Sequence, residues 1–578
     1  MTNKTIKTWL FLFMLSGILS GIFLITMRFN PMRGQTMNYD AMRWILEGII
    51  IVLVTAALVL IAFIHHSPDN VKAIIKKLDQ IIHLQPSRLF RIQFFLLVLL
   101  VFVMELLLMS FISIPEPLRP VLAWIWVNLL FSWIILRISF HDLYKSRTTF
   151  GENLKSWWKS NSIVQKRVFI NLLFLGSIYF LAYIPMNGSS VPGNYGNYFG
   201  HADEVVIYPS VVKVLTIGDT FTETLYNVLI DYNWWYGYPY LPISAAPLII
   251  PRIIFGPSFG DQIQLNLLLL RQFINVLPMI LAAGLLVYLV TRFKNFFLST
   301  GMFIFLLLVP GILKFNYRFW HPDSIILLLI ALTFFFLVRD SLKLSRNFYF
   351  APITCGLAAV IKLWGFFFFL TIAGYLFASL ISKISTFKRV TLAGMGFIAV
   401  MGGTILISSP SLLYPSATIS LINDWGHQLN TNASGYNEPD PEGVYQTGME
   451  NWLRYFKIHF GMEPWFFFFT FGTIVLGSLM GSRLTLNRLL LGWCLVIGVY
   501  LVQFVAVKSP QYMIPLIMPL YAGGFLLPSI ANGEGKPRWK AWLNRPIIKG
   551  FLWGIVVALY LVQFLINIKI DLALPFIM

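Results

Sequence analysis

Charge is scarce in this chain of 578 residues. Asp, Glu, Lys and Arg together make up 12% of it, about half the ~25% usual in soluble domains. The shortfall is not local, because apolar runs near membrane-spanning length recur from residue 8 to residue 567. A soluble globular protein is excluded, and the pattern predicts an all-α polytopic membrane protein. The short alternating strands of a membrane β-barrel are missing. Cysteine is nearly absent: Cys355 and Cys494 both lie inside apolar runs, so no disulfide framework is implied. No GxxxxGK[ST] stretch occurs, which argues against ATP-driven transport by this chain. Nor is there an inverted internal repeat of the kind on which many transporters are built. Lys4 and Lys7 precede the first apolar stretch without a small-residue cleavage site after it, so a retained first span is expected. No clustered set of His, Cys, Asp and Glu stands at ligand spacing, and no metal is expected.

The charge that is present is mostly basic: 43 Lys and Arg against 24 Asp and Glu, a formal net charge of +19. In a soluble protein that balance would suggest nucleic acid. Here the basic residues sit mostly in short loops between apolar runs, the positive-inside pattern, with added attraction to anionic headgroups. Nucleic acid is not an expected partner; membrane lipid is. Spans are drawn at 8–27, 45–64, 93–113, 119–138 and 168–186, then at 265–290, 296–314, 324–338, 349–361, 363–381, 390–408, 464–481, 488–507, 511–528 and 547–567, each of about 20 residues being enough to cross. The 349–361 run is too short alone and reads as a broken helix with Lys362 at the break. Basic loops at 66–92, 139–167, 292–294, 339–346, 383–389 and 536–545 set an orientation with the N-terminus inside; Arg28, Arg33 and Arg43 go against it. Two long segments, 187–264 and 409–463, then fall outside. Both are rich in Gly, Pro, Tyr, Trp and Asn. The stretch "NWWYGYPYLP" at 233–242 suits an interfacial helix or re-entrant loop, and also suits sugar binding.

The first of these segments contains "YFGHADEVVIYPS", with His201, Asp203 and Glu204 about 17 residues beyond a span. A group that takes a proton from a hydroxyl is a carboxylate or histidine held near the reacting centre. The plain alternative is a solvated acidic pair in a loop. Further along, "NYRFWHPDSIILLL" opens a span; Pro322 suits a first helical turn and Asp323 complements the helix dipole there. That accounts for Asp323 but not for Arg318 and His321, two candidate cations for a lipid-linked phosphate. Arg271 lies within "LLLLRQF", Lys362 interrupts "GLAAVIKLWG", and Lys508 opens "KSPQYMIPLIMPL". A cation inside the membrane is a site hypothesis by default; snorkelling is the alternative for Lys508 and Lys362 and fits Arg271 less well. Glu105, in "LVFVMELLLMS", has no role assigned.

From about residue 168 to 567 the chain resembles the GT-C class of integral-membrane glycosyltransferases, as in the protein O-mannosyltransferase and aminoarabinose transferase families. The resemblance is carried by order and membrane side: an outer loop with His201-Ala-Asp203-Glu204, then "YPYLPISAAPLIIPRIIFG" leading to an Arg-bearing span. The "RFWHPDSIILLLIALTFFFL" helix start, the "GLAAVIK" span, "HFGMEPWFFFF" and "QYMIPLIMPLYAGGF" follow. It implies a GT-C-like transmembrane helix bundle with two long outer loops bearing short interfacial helices. Residues 1–140 lie outside it as an extra N-terminal four-span module, 141–167 as a cytoplasmic linker, and 168–578 form the core. It implies transfer of a sugar from a polyprenyl-phosphate donor to a glycan, lipid or protein acceptor on the outer face of the cell membrane, by one inverting displacement. Asp203 would be the base and Glu204 its neighbour. His201, Arg271, Arg318, His321, Asp323, Lys362, Lys508 and Tyr512 would bind substrate, with no cofactor and no metal. The alternatives are a transporter or flippase, or a polymerase or ligase of lipid-linked envelope substrates.

The basic-loop count makes a prediction. Reporters fused after residue 155 or 540 lie in the cytoplasm, and those after residue 220 or 435 outside. A cytoplasmic signal from the fusion after residue 220 would put Asp203 on the wrong side for this chemistry.

Overall fold

The computed structural model describes residues 160–189, 198–219, 236–409, 415–435, 446–481, 483–527 and 545–573, with isolated positions elsewhere. The first four expected spans, Glu105 and most of 141–167 lie outside the described residues. A compact unit of residues 159–215, 231–410 and 420–578 holds the helices that matter here. All regular structure among the described residues is helical.

In chain order the helices are α1 (Ile163–Asn187), α2 (Ala202–Val214), α3 (Tyr240–Asp261), α4 (Ile263–Thr291), α5 (Phe296–Leu307), α6 (Pro310–Phe315), α7 (Asp323–Asp340) and α8 (Ala351–Lys362). They continue as α9 (Phe369–Ile381), α10 (Phe387–Ser408), α11 (Pro415–Ser434), α12 (Met449–Phe460), α13 (Pro464–Met480), α14 (Leu484–Phe504), α15 (Pro510–Gly523) and α16 (Pro546–Ala573). By length and composition α1, α3, α4, α10, α14 and α16 can each cross a membrane, and α12 with α13, bent by 106°, would make a seventh span. These helices carry the side chains that a hydrocarbon surrounding requires: on α1, Leu173 and Phe174 are exposed at 62% and 63%. In water such a stripe would be an unpaired apolar patch.

Several boundaries follow from local chemistry. Ser162 caps α1 by accepting from the Gln165 amide while the Gln165 side chain accepts from the Ser162 amide, a reciprocal cap for two orphan donors. The expected span 296–314 is two helices, because Pro310 cannot continue α5 and instead starts α6. Residues 240–261 were expected in a loop; they form α3, which Gly256 (φ 60) interrupts, with Ile250, Ile253 and Ile254 exposed. Inside α15, Pro519 has no N–H for the Pro515 carbonyl. The buried indole of Trp493 on α14 donates to that carbonyl at 2.8 Å and stacks on Phe334 of α7 at 4.8 Å. One aromatic residue thus joins three helices at the core.

α7 is tied at its far end by Asp340. That carboxylate accepts from the Leu344 and Ser345 amides at 2.9 and 2.7 Å and from the Tyr375 hydroxyl at 2.8 Å. α8 stops at Lys362, where the chain turns through Leu363 (φ 27) into one helical turn, Trp364–Phe367, before α9. The break expected at Lys362 is where the helix ends. Gly365 makes that reversal fit: a Cβ there would stand 2.0 Å from the Cys355 carbonyl oxygen and 2.5 Å from the Ala359 nitrogen. Both cysteines are buried free thiols.

Gly365→Ala must push α8 away from the reversal. The expected loss is about 1–3 kcal/mol, the usual cost of overpacking a close contact, read as a lowered unfolding midpoint in detergent. A wild-type midpoint would show that the reversal has slack.

Candidate active site

Adjacent helical residues point about 100° apart, and α2 uses this at its first turn. His201 is the N-cap, its Nδ1 accepting from the Asp203 amide at 3.2 Å. Asp203 and Glu204 follow, and both carboxylates favour the positive end of the helix dipole. They then face different partners.

Glu204 is fully buried. Its Oε1 accepts from Arg271 Nε at 2.9 Å, and its Oε2 from Arg271 Nη2 at 2.7 Å and from the Gly200 amide at 2.8 Å. Arg271 is 1% exposed, and its other bonds go to the backbone carbonyls of Asn187 at 3.0 Å and Tyr198 at 2.8 Å. Each charge is therefore paired and hydrogen-bonded, the condition under which a buried ion pair is tolerated. Arg271 belongs to a π-helical turn, Arg271–Val276, inside α4. The same turn carries Asn275, whose Nδ2 donates to the Phe315 and Phe319 carbonyls at 3.2 and 2.6 Å, and whose Oδ1 accepts from the His321 amide at 3.1 Å. A π turn re-aims the side chains of a helix; here it holds both α2 and the loop before α7.

Asp203 turns the other way and is 27% exposed. Its Oδ2 accepts from the Tyr236 hydroxyl at 3.1 Å and lies 3.4 Å from His201 Nδ1 and 3.5 Å from His321 Nε2. The Tyr236 hydroxyl also meets His321 Nε2 at 2.5 Å. His321 is buried and presents Nδ1 to the Asp323 carboxylate as a charge contact without hydrogen-bond alignment. Lys362 Nζ donates to both Asp323 oxygens at 3.1 and 3.0 Å, and lies 4.7 Å from the centre of the Tyr512 ring. Asp323 at the N-terminus of α7 and Lys362 at the C-terminus of α8 each also complement their own helix dipole.

Two glycines bring these pieces together. A Cβ on Gly200 would lie 2.0 Å from the Arg318 carbonyl oxygen, and one on Gly237 would lie 1.8 Å from that of Val360. The Gly237 amide donates to the Ile361 carbonyl at 3.2 Å. The backbone beside His201 is thus pressed on the loop before α7, and the backbone beside Tyr236 on the end of α8.

Electrostatics sort the groups. Burial by itself would raise the Asp203 carboxyl, but the hydrogen bonds and charges of His201 and His321 outweigh it and hold it well below the usual carboxylate range. The hydrogen bond with Asp203 raises the His201 imidazole above its ordinary value despite burial. Burial, followed by the charges of Asp203 and Asp323, raises the Tyr236 hydroxyl well above 10. Asp203 is therefore an anion at physiological pH, and Tyr236 keeps its proton.

The residues singled out in the sequence fall into three groups. His201, Asp203, His321, Asp323 and Lys362 form one contiguous cluster, with Tyr512 at its edge. Glu204 and Arg271 satisfy each other behind it, so Arg271 has no accessible donor. Arg318 (φ 52) is half-buried and donates from Nε and Nη2 to Ser189 Oγ at 3.2 and 2.8 Å. Lys508, buried at 4%, donates to the Ala506 carbonyl at 3.0 Å and sits over the Tyr455 ring at 5.4 Å. The sequence reading missed Tyr236, Asn275 and Gly200. Tyr236 was visible only as one aromatic of "NWWYGYPYLP", of which residues 236–242 are described. Among the described residues no group of three or more His, Cys, Asp and Glu is placed to hold a metal ion. Compared with known proteins, the chain matches no family model, no curated protein and no solved structure.

Glu204→Gln or Arg271→Met should each destabilise by about 3–5 kcal/mol, because each strands a buried charge or its partners. The double variant should cost far less than the sum, measured by denaturant unfolding of the purified protein. Additive losses would mean that the two side chains do not act as a pair.

Proposed function

We propose that this protein is a membrane glycosyltransferase. It moves a sugar from a polyprenyl-phosphate donor to an acceptor hydroxyl on the extracytoplasmic face, with Asp203 as the base. The observation that carries this reading is the Asp203 cluster. It combines one partly exposed carboxylate with histidines and an ammonium group at the ends of apolar helices. Two features of the cluster suit the chemistry. The acceptor hydroxyl needs an anionic oxygen to take its proton as its own oxygen attacks the anomeric carbon. The leaving group is a lipid phosphate, whose anion needs cations nearby. Lys362, 17% exposed beside Asp203's neighbours, and half-buried Arg318 are the cations with open faces. Arg271 serves a different end in this scheme: it neutralises Glu204 and so fixes the helix that presents Asp203.

The displacement is a single step. The acceptor oxygen bonds to the anomeric carbon and its proton goes to Asp203. The bond from that carbon to the phosphate oxygen breaks, and its electron pair leaves with the polyprenyl phosphate. Nothing in this step calls for a nucleotide or a separate catalytic domain. A transporter would place its essential polar groups near the middle of its spans. Here Asp323 opens α7 and Lys362 closes α8, which favours chemistry at a surface.

The test uses the purified chain in nanodiscs with a panel of polyprenyl-phosphate hexoses and pentoses, reading release of polyprenyl phosphate by mass spectrometry, with water as acceptor. Asp203→Asn should lower the rate by roughly 10²–10⁴-fold, the usual contribution of a general base, with little change in the unfolding midpoint. Wild-type turnover in that variant would remove Asp203 from the mechanism.

A further inference from the structure

Asp203 does not end at its own carboxyl group. From Oδ2 a line of polar atoms runs inward through the Tyr236 hydroxyl (3.1 Å) to His321 Nε2 (2.5 Å) and then across the ring to Asp323, both of whose carboxylate oxygens accept from Lys362 Nζ. Tyr236 is the join. Its hydroxyl has one proton and meets one acceptor on either side, so it can pass a proton only by taking another. We propose that Tyr236 and His321 form a proton relay that empties Asp203 after each transfer and stores the proton on His321. The proposal rests on the reading of Asp203 as the base.

Charge counting supports a store at this place. Asp203 and Asp323 supply two negative charges and Lys362 one positive. With both histidines neutral the cluster is one positive charge short. His321 can therefore take up the acceptor's proton without leaving the cluster with an uncompensated positive charge, which would be costly in so buried a site. The groups facing His321 are Asp203 and His201 from the start of α2, Tyr236 and Tyr240 from the segment entering α3, Asp323 from α7 and Lys362 from α8, with Tyr512 of α15 beyond them. The Asn275 side chain accepts from the His321 amide and fixes the ring's approach. The Phe319 ring stacks on the imidazole at 5.0 Å.

The step balances. The relay uses the neutral tautomer of His321 that carries its hydrogen on Nδ1 and turns the Nε2 lone pair to Tyr236. The acceptor proton arrives on Asp203 and passes to the Tyr236 oxygen as the original Tyr236 proton moves to Nε2. Asp203 is again an anion, Tyr236 again a phenol, and His321 an imidazolium between two carboxylates. The proton then returns by the same line to the departing phosphate or to water.

The relay makes the pH profile a report on a histidine rather than on Asp203. Asp203 is held too far below the usual carboxylate range for its own protonation to matter near neutrality. A filled His321 cannot accept, so the rate should fall toward acid pH. The experiment measures kcat and donor KM from about pH 5 to about pH 9 for the wild-type chain in nanodiscs, with whichever polyprenyl-phosphate sugar of the panel it turns over. Tyr236→Phe keeps the ring against Tyr240, His321 and Lys362 and removes only the hydroxyl. His321→Gln keeps a polar partner but not a proton acceptor. Both should lower kcat about tenfold or more, leave donor KM in place and lose the acid limb, whereas His201→Asn keeps that limb. Wild-type kcat with an unmoved limb in Tyr236→Phe overturns the relay. So does an equal fall of kcat at every pH, the mark of a structural role, and so does loss of the limb in His201→Asn alone. Full activity in Asp203→Asn defeats the base, and no release by the wild type defeats the glycosyltransferase reading; the relay falls with either. Neither result depends on what Tyr236→Phe does.

Discussion

The buried ion pair of Glu204 and Arg271 is the constraint around which this end of the bundle is arranged. Neither charge can be left alone where water is absent. Each therefore dictates the position of the backbone that carries it. Arg271 draws in the end of α1 through Asn187, the residues just before α2 through Tyr198, and the first turn of α2 through Glu204. The π turn that presents Arg271 also presents Asn275, which secures the loop before α7. Through these two side chains one irregular turn of α4 positions three separate pieces of chain: the end of α1, residues 198–204 and the loop before α7.

The second acid is free to do something else because the first is not. Asp203 and Glu204 share a helix turn but not a direction, and the division of labour follows from helical geometry. The inward acid is spent on anchoring. The outward acid meets two histidines and a tyrosine, and their hydrogen bonds keep it ionised against the effect of its burial. The two close backbone approaches at Gly200 and Gly237 have the same consequence. They bring residues from the segments before α2 and α3 within hydrogen-bonding reach of the start of α7 and the end of α8. A side chain at either glycine would separate Asp203 or Tyr236 from His321.

A parallel economy appears in the core. The proline-bearing helix α15 leaves a carbonyl without its helical donor, and the buried indole of Trp493 fills that vacancy while packing on α7. The polar demands of an interrupted helix are met by neighbouring helices, as they must be where solvent cannot reach.

Much of the helical organisation was legible in the sequence, because the cost of charge and of bare backbone in hydrocarbon is local and shows in any apolar run of sufficient length. The runs of α1, α4, α5, α7 to α10 and α13 to α16 and the stop at Lys362 were of this kind. So were Arg271 and Lys362, charges that are anomalous in the apolar runs where they stand. What the sequence could not assign was partnership. Arg271 lies 67 residues from Glu204, and Lys362 39 residues from Asp323; no period or motif links them. The sequence therefore grouped Arg271 with Arg318, His321 and Lys362, while packing set it behind Asp203 and gave it to Glu204. Tyr236 had no sequence signal beyond aromatic content, because its role comes only from where Gly237 meets α8. The α3 segment read as a loop because Pro and Gly punctuate it, yet its isoleucines were long enough in run to make a helix once the surroundings were apolar. Composition fixed the solvent and the elements; the tertiary structure decided which charges meet, since desolvated ions find partners across space and not along the chain.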